Sequence, residues 1–153
     1  MKIYATPING MENLENATPE FAALVDFYKA FNSQNMELMQ NNWLQTEDAS
    51  MSNPLGGVKR GWQEIQKVYE KIFYGNAKVY VEYYDFSIHQ TENQFLAVGK
   101  ERGTLTINNE TISLAIRTTR VYQLHENRWQ QLHHHGSMDD PVLLKQYQTL
   151  VKN

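Results

Sequence analysis

The chain is predicted to be α+β, and three observations carry that reading. Apolar residues recur at helical spacing through most of the first half. The second half is a succession of Val-, Tyr- and Thr-rich runs separated by short polar turns. A last helical stripe closes the sequence. Helices first and a strand meander after them describe helices laid on one face of an antiparallel sheet.

Residues 1–17 are polar, Asn-rich and unpatterned, and read as a flexible N-terminal arm ahead of one domain spanning 18–153. Thr18-Pro19 supplies an N-cap and a proline at the first helical position. Phe21, Leu24, Val25, Tyr28 and Phe31 then form one stripe, giving a helix to about Asn32. Met36, Leu38, Met39 and Trp43 suggest a second short helix capped by Asn35. Glu47 to Asn53 reads as a short strand closed by the turn cluster Asn53-Pro54-Leu55-Gly56-Gly57. From Gly61 the helical pattern returns in Ile65, Val68, Tyr69, Ile72 and Phe73, and Gly75-Asn76 stops it.

Strands are expected over Lys78 to His89, Phe95 to Ile107, Thr111 to Leu124 and Arg128 to Ser137. Asn108-Asn109 and Glu126-Asn127 form the tight turns, since Asn tolerates positive φ. Asp140-Pro141 opens a C-terminal helix at about 140–152, with Leu143, Tyr147, Leu150 and Val151 on one stripe.

Composition excludes several classes. The chain of 153 residues has no cysteine, so disulfides, thiolate nucleophiles and cysteine-ligated zinc are ruled out. A formal charge of −3 argues against nucleic-acid binding, which requires a basic face. No run approaches the roughly 20 apolar residues of a membrane span, and Met1 to Ile8 lacks the apolar core of a signal peptide. A cytoplasmic protein without membrane association is the expectation.

Candidate chemistry concentrates in the last two strands. Alternation places Ile116, Thr118, Arg120 and Tyr122 on one face, and Ala115, Arg117, Thr119 and Val121 on the other. Arg120 either points inward or pairs at the surface. Arg102, on the preceding strand, either converges with it on an anionic ligand or is, with Glu101, an ordinary exposed charge. His133 and His135 share a face while His134 points away. A metal site needs a third ligand at a telling spacing, and His89 and His125 are merely available, so neither metal nor cofactor is expected. If acid–base chemistry occurs, the titratable candidates are His134, Glu82 and Glu47.

Thr119-Arg120-Val121-Tyr122 and Arg128-Trp129-Gln130-Gln131-Leu132-His133-His134-His135-Gly136-Ser137 resemble a motif of the association (hub) domain of calcium/calmodulin-dependent protein kinase and its bacterial relatives. That motif runs Thr-Arg-Val-Trp, a charged turn, then Lys-Trp-Gln-x-Val-His-x-His-x-Ser, with the same nine-residue step from arginine to tryptophan. With the order of elements, this places the chain among proteins similar to the nuclear-transport-factor-2 (NTF2)-like superfamily, SnoaL-like members in particular.

The resemblance implies a cone: helices across a strongly bent antiparallel sheet that encloses a pocket, and dimers or larger rings through the sheet's outer face, with a homodimer expected here. Hub-domain arginines line the pocket from three strands. Arg120 matches one and Arg102 plausibly a second, while Gly136 stands at the third. The same parity implies that Gln130, Leu132 and His134 face the cavity and that Trp129, His133 and His135 face the partner. The superfamily's ketosteroid isomerases carry a catalytic aspartate in an Asp-Pro-x-Gly turn, where this chain has Asn53-Pro54-Leu55-Gly56, and an oxyanion tyrosine that falls near Tyr28. An amide cannot take the proton. The expected function is therefore binding of a small, possibly anionic organic molecule by Tyr28, Asn53, Arg102, Arg120 and His134. The alternatives are a non-catalytic self-association module and an isomerase-, cyclase- or dehydratase-type enzyme lacking the usual aspartate.

Overall fold

The structure, a computed structural model, describes residues 1–152; Asn153, the expected end of the domain, lies outside the described residues. Among these, the elements are β1 (Lys2–Tyr4), α1 (Pro19–Asn32), α2 (Met36–Asn42), β2 (Ser50–Ser52), β3 (Lys59–Arg60), α3 (Trp62–Tyr74), β4 (Lys78–Gln90), β5 (Gln94–Ile107), β6 (Glu110–His125), β7 (Arg128–Ser137) and α4 (Pro141–Lys152). The strands form one strongly curved sheet in the order β1-β4-β5-β6-β7-β2-β3. The fold is α+β, as the patterning predicts.

Local chemistry sets the boundaries. The Thr18 hydroxyl accepts from Phe21 N at 3.2 Å and the Asn35 amide oxygen from Leu38 N at 3.0 Å, so both expected caps start their helices. Asp140 Oδ1 accepts from Val142 N at 2.9 Å and opens α4. Asn108, Asn109, Glu126 and Asn127 all have φ between 50° and 65°, which closes the β5–β6 and β6–β7 hairpins tightly.

The sheet is mixed rather than purely antiparallel, because β2 runs parallel to β7. The chain passes through β2 before the meander is built, and β7 returns beside it only after the whole β4–β6 excursion. Two bulges bend the sheet. One lies between Tyr84 and Ser87, where Asp85 takes φ 47°. The other leaves Leu132 unpaired, since Val121 opposes His133 while Tyr122 opposes Gln131. At the bend Gly99 is required: a Cβ there would stand 2.5 Å from that of Phe86.

The concave face is packed by α1 and α3. Phe27, Tyr28, Trp43, Tyr69, Tyr83 and Tyr122 fill the cone, each buried. Burying aromatic rings here removes the largest apolar areas in the chain from water.

The segment expected as a loose arm is instead docked. β1 pairs with β4, and Ile8 exchanges two 2.8 Å backbone hydrogen bonds with Tyr83. The Asn32 amide donates to both Asn9 O and Val81 O at 2.8 Å, tying the segment to α1 and β4. Tyr4 stacks on Phe86 at 4.8 Å. This segment is held by the free backbone edge of β4 and by two isolated apolar residues, which leave no periodic pattern to read. Ile8→Ala is therefore expected to lower unfolding free energy by about 2–5 kcal/mol in urea titrations, whereas a mobile arm gives no change.

Candidate functional site

Arg120 points into the cone. Its side chain is 2% exposed, and its guanidinium carbon lies 3.5 Å from the centroid of the Phe27 ring. The β5 residue opposite Arg120 is Ala97, and Gly99 opposes Thr118, so small residues leave room for the arginine to lie along the sheet. Arg120 Nη2 donates to Glu101 Oε2 at 3.4 Å, Nη1 to Gln131 Oε1 at 2.8 Å and Nε to the Tyr28 hydroxyl at 3.3 Å. Glu101 Oε1 accepts from the Thr118 hydroxyl at 2.6 Å. Gln131 Nε2 donates to Asn42 Oδ1 at 3.2 Å, which also accepts from the Tyr122 hydroxyl at 2.8 Å. One buried network thus joins β5, β6, β7, α1 and the end of α2.

A cavity of about 40 Å3 remains beside it, bordered by Arg120, Glu101, His134, Asn53, Tyr69 and Tyr147. Burial, together with the charge of Arg120 and the neighbouring histidines, holds the His134 imidazole well below its ordinary pKa, so it is neutral at pH 7. Its Nδ1 is buried with no hydrogen-bond partner among the described residues, as is Trp43 Nε1. Burial pushes the Tyr28 hydroxyl well above the usual range against the opposing pull of Arg120, and raises Tyr69 similarly. Both phenols stay protonated, and Tyr28 accepts from Arg120 Nε.

Of the residues the sequence singles out, Arg120, His134 and Asn53 meet at this cavity. Tyr28 reaches it only through Arg120. Asn53 spends its amide oxygen on Leu55 N at 3.1 Å.

Arg102 does not converge with Arg120. It lies on the outer face, pairs with Glu82 and stacks on Tyr84, 4.2 Å from the ring centroid. Its neighbour Glu101 is the inward residue, and the signal was present: Phe95, Ala97, Leu105 and Ile107 share its parity and are buried. Glu82 is consequently an outer-face group, and Glu47 is exposed beside Gly61.

The Leu132 bulge reverses the expected parity of the start of β7. Gln131, not Gln130 or Leu132, is the inward residue, and Trp129 packs edge-on against buried Phe95 at 5.0 Å on the helix-covered face instead of facing outward. His133 and His135 do lie on the outer face, their rings 6.5 Å apart, with Ser50 Oγ 2.7 Å from His133 Nδ1. At Gly136 a Cβ would meet His134 Nε2 at 3.2 Å and Pro54 at 3.3 Å, so the His134 ring and Pro54 crowd that position. Among the described residues no three His, Asp or Glu side chains are placed to share a metal ion, and no helix is long and apolar enough to cross a membrane.

A bent mixed sheet wrapped on helices around a closed polar interior is the NTF2-like fold. Residues 21–141 match the model of the SnoaL-like domain, and the chain belongs to that family. Among solved structures it is similar to a protein of Thiobacillus denitrificans assigned as a calcium/calmodulin-dependent protein kinase type II association domain, at 25% identity and TM-score 0.64, covering 80% of this chain and 96% of that one. It is also similar to a protein of Streptomyces avermitilis assigned as an NTF2-like dehydratase, at 21% identity and TM-score 0.69, covering 78% and 92%. A ketosteroid isomerase-like protein of Erwinia carotovora atroseptica matches at 19% identity and TM-score 0.67, covering 85% and 100%. The F-box protein SKIP8 of Arabidopsis thaliana is 21% identical over 137 residues, which are 87% of this chain, and the match spans about half, 55%, of that protein.

The state of His134 makes stability depend on pH. An unfolded histidine protonates near pH 6.5, and the folded chain refuses that proton, so stability falls as pH drops below about 6.5. Urea titrations at pH 7.5 and 5.5 are expected to show this loss in the wild type. In His134→Leu the loss shrinks, by up to about 1.4 kcal/mol per pH unit.

Proposed function

We propose that the cone binds a small polar organic molecule beside Arg120, Glu101 and His134. One observation carries this reading: buried polar atoms are nearly always paired, yet the unpartnered His134 Nδ1 belongs to a side chain bordering the same cavity as the Arg120–Glu101 pair. Arg120 has five N–H donors, and its side-chain hydrogen bonds above use three. A molecule that offers an acceptor to Arg120 and a hydrogen-bonding group to His134 completes both. Small carboxylic acids, hydroxy acids and their amides have this chemistry.

Glu101 already balances the charge of Arg120, and Arg102 is absent from the site, so the pocket favours a neutral molecule or a monoanion over a dianion. Size narrows the class further. A cavity of about 40 Å3 is little more than one water's share of liquid volume, about 30 Å3, and is far below the several hundred Å3 of ordinary ligand sites. A ligand larger than formate requires α4 to move. Tyr147 on α4 borders the cavity, and Gln148 holds the helix to Pro54 O at 2.9 Å. An acid–base reaction in this pocket would have to use His134 or Glu101, because Asn53 stands where the isomerase base would be.

A second reading, a self-association module, is favoured by the outer face. There Leu96 opposes Val121 across β5 and β6, beside Val98, which is 41% exposed, and the half-buried Leu132. In this reading a homodimer forms through the sheet.

A thermal-shift panel of formate, acetate, glycolate, lactate and acetamide separates the two. Pocket binding raises Tm for at least one compound in the wild type and for none in His134→Leu. No shift in the wild type, or equal shifts in both proteins, rejects it. A Tm that rises with protein concentration while ignoring the panel supports the second reading.

A further inference from the structure

A second concavity opens between α3, the β2–β3 loop and the end of α4, outside the central cavity. Its volume is about 520 Å3, which falls in the range of small-molecule sites. Lysines reach it from three elements: Lys59 on β3, Lys67 and Lys71 on α3, and Lys152 on α4. Glu64 is the one acidic residue lining it. Four lysines against one glutamate give this cleft a formal +3 in a chain whose formal charge is −3.

Ordinary structural roles account for only part of this. Lys67 pairs with Glu64 at 3.3 Å, but both ends are more than half exposed and such a pair contributes little. Lys71 sits in the last turn of α3, where the helix dipole favours a cation. Yet Lys67 and Lys71 are one turn apart on the same face, an unfavourable like-charge arrangement. Among the described residues neither Lys59 nor Lys71 has a carboxylate partner. The loop wall includes Gly56 and Gly57, at φ 103° and 75°, so that part of the surface is bare backbone open to a ligand.

We propose that this cleft binds a small phosphorylated molecule whose phosphate or pyrophosphate is held by Lys59, Lys67, Lys71 and Lys152. Lysines act as compact point charges, and four of them around one cleft favour a multiply charged phosphate over a monoanion. A net-positive concavity of this size in a chain that is acidic overall fits a small ligand rather than a nucleic-acid strand. The proposal is independent of the central pocket, since none of these lysines borders the cavity at Arg120.

Isothermal titration with pyrophosphate and inorganic phosphate, at constant ionic strength, tests it. Pyrophosphate is expected to bind more tightly than phosphate. The double variant Lys59→Gln/Lys71→Gln weakens binding at least tenfold, the exposed single variant Lys71→Gln weakens it severalfold, and Lys145→Gln, about two turns from Lys152 on α4 and outside the cleft lining, leaves it unchanged. His134→Leu also leaves pyrophosphate affinity unchanged, which separates this site from the central one. Absence of binding at millimolar pyrophosphate overturns the proposal, as does equal weakening by Lys145→Gln. Sedimentation with vesicles containing phosphatidylinositol phosphate, in the absence of any pyrophosphate binding, overturns it in favour of a lipid surface.

Discussion

The interior of the cone is organised by one ion pair, Arg120 with Glu101, removed from water on adjacent strands. Burying two charges costs several kcal/mol per ion and is repaid only where hydrogen bonds satisfy what the pair leaves over. The network around it answers that demand piece by piece. Thr118 donates to Glu101, Gln131 and Tyr28 accept from Arg120, and the Phe27 ring presents its electron-rich face to the guanidinium. The partners come from β6, β7 and α1, so the pair fixes how β5, β6, β7 and α1 meet.

That constraint extends into the sheet. Gln131 reaches the arginine only because the Leu132 bulge turns it inward, while His134, beyond the bulge and opposite Arg120, keeps the parity that brings it to the cavity wall. Ala97 and Gly99 on β5 give the arginine its space. What remains open after packing is a small volume with one unpartnered imidazole nitrogen, which is why the pocket reads as a site for a small polar molecule and not as a large hydrophobic cavity.

Much of the fold was legible in the sequence. Thr18, Asn35 and Asp140 announced their helices, and Asn108-Asn109 and Glu126-Asn127 announced the hairpins. The alternation of β6 sorted Arg120 from Arg117 correctly in its inward option. The same rule applied to β5 selects Glu101 over Arg102, because Phe95, Ala97, Leu105 and Ile107 set the inward parity. The bulge at Leu132 had no marker, since no glycine or proline flags it, and it displaced the expected roles of Trp129, Gln130 and Leu132. The docking of residues 1–17 was invisible for a related reason: backbone hydrogen bonds to an open strand edge are indifferent to side-chain pattern.

The most direct test of the organising role of the ion pair is a double-mutant cycle on unfolding free energy with Arg120→Met, Glu101→Leu and both together. Each single change strands a buried charge and is expected to cost about 3–5 kcal/mol, with the double variant recovering most of that loss. Small single effects, or a double variant whose loss is the sum of the two, would contradict the account.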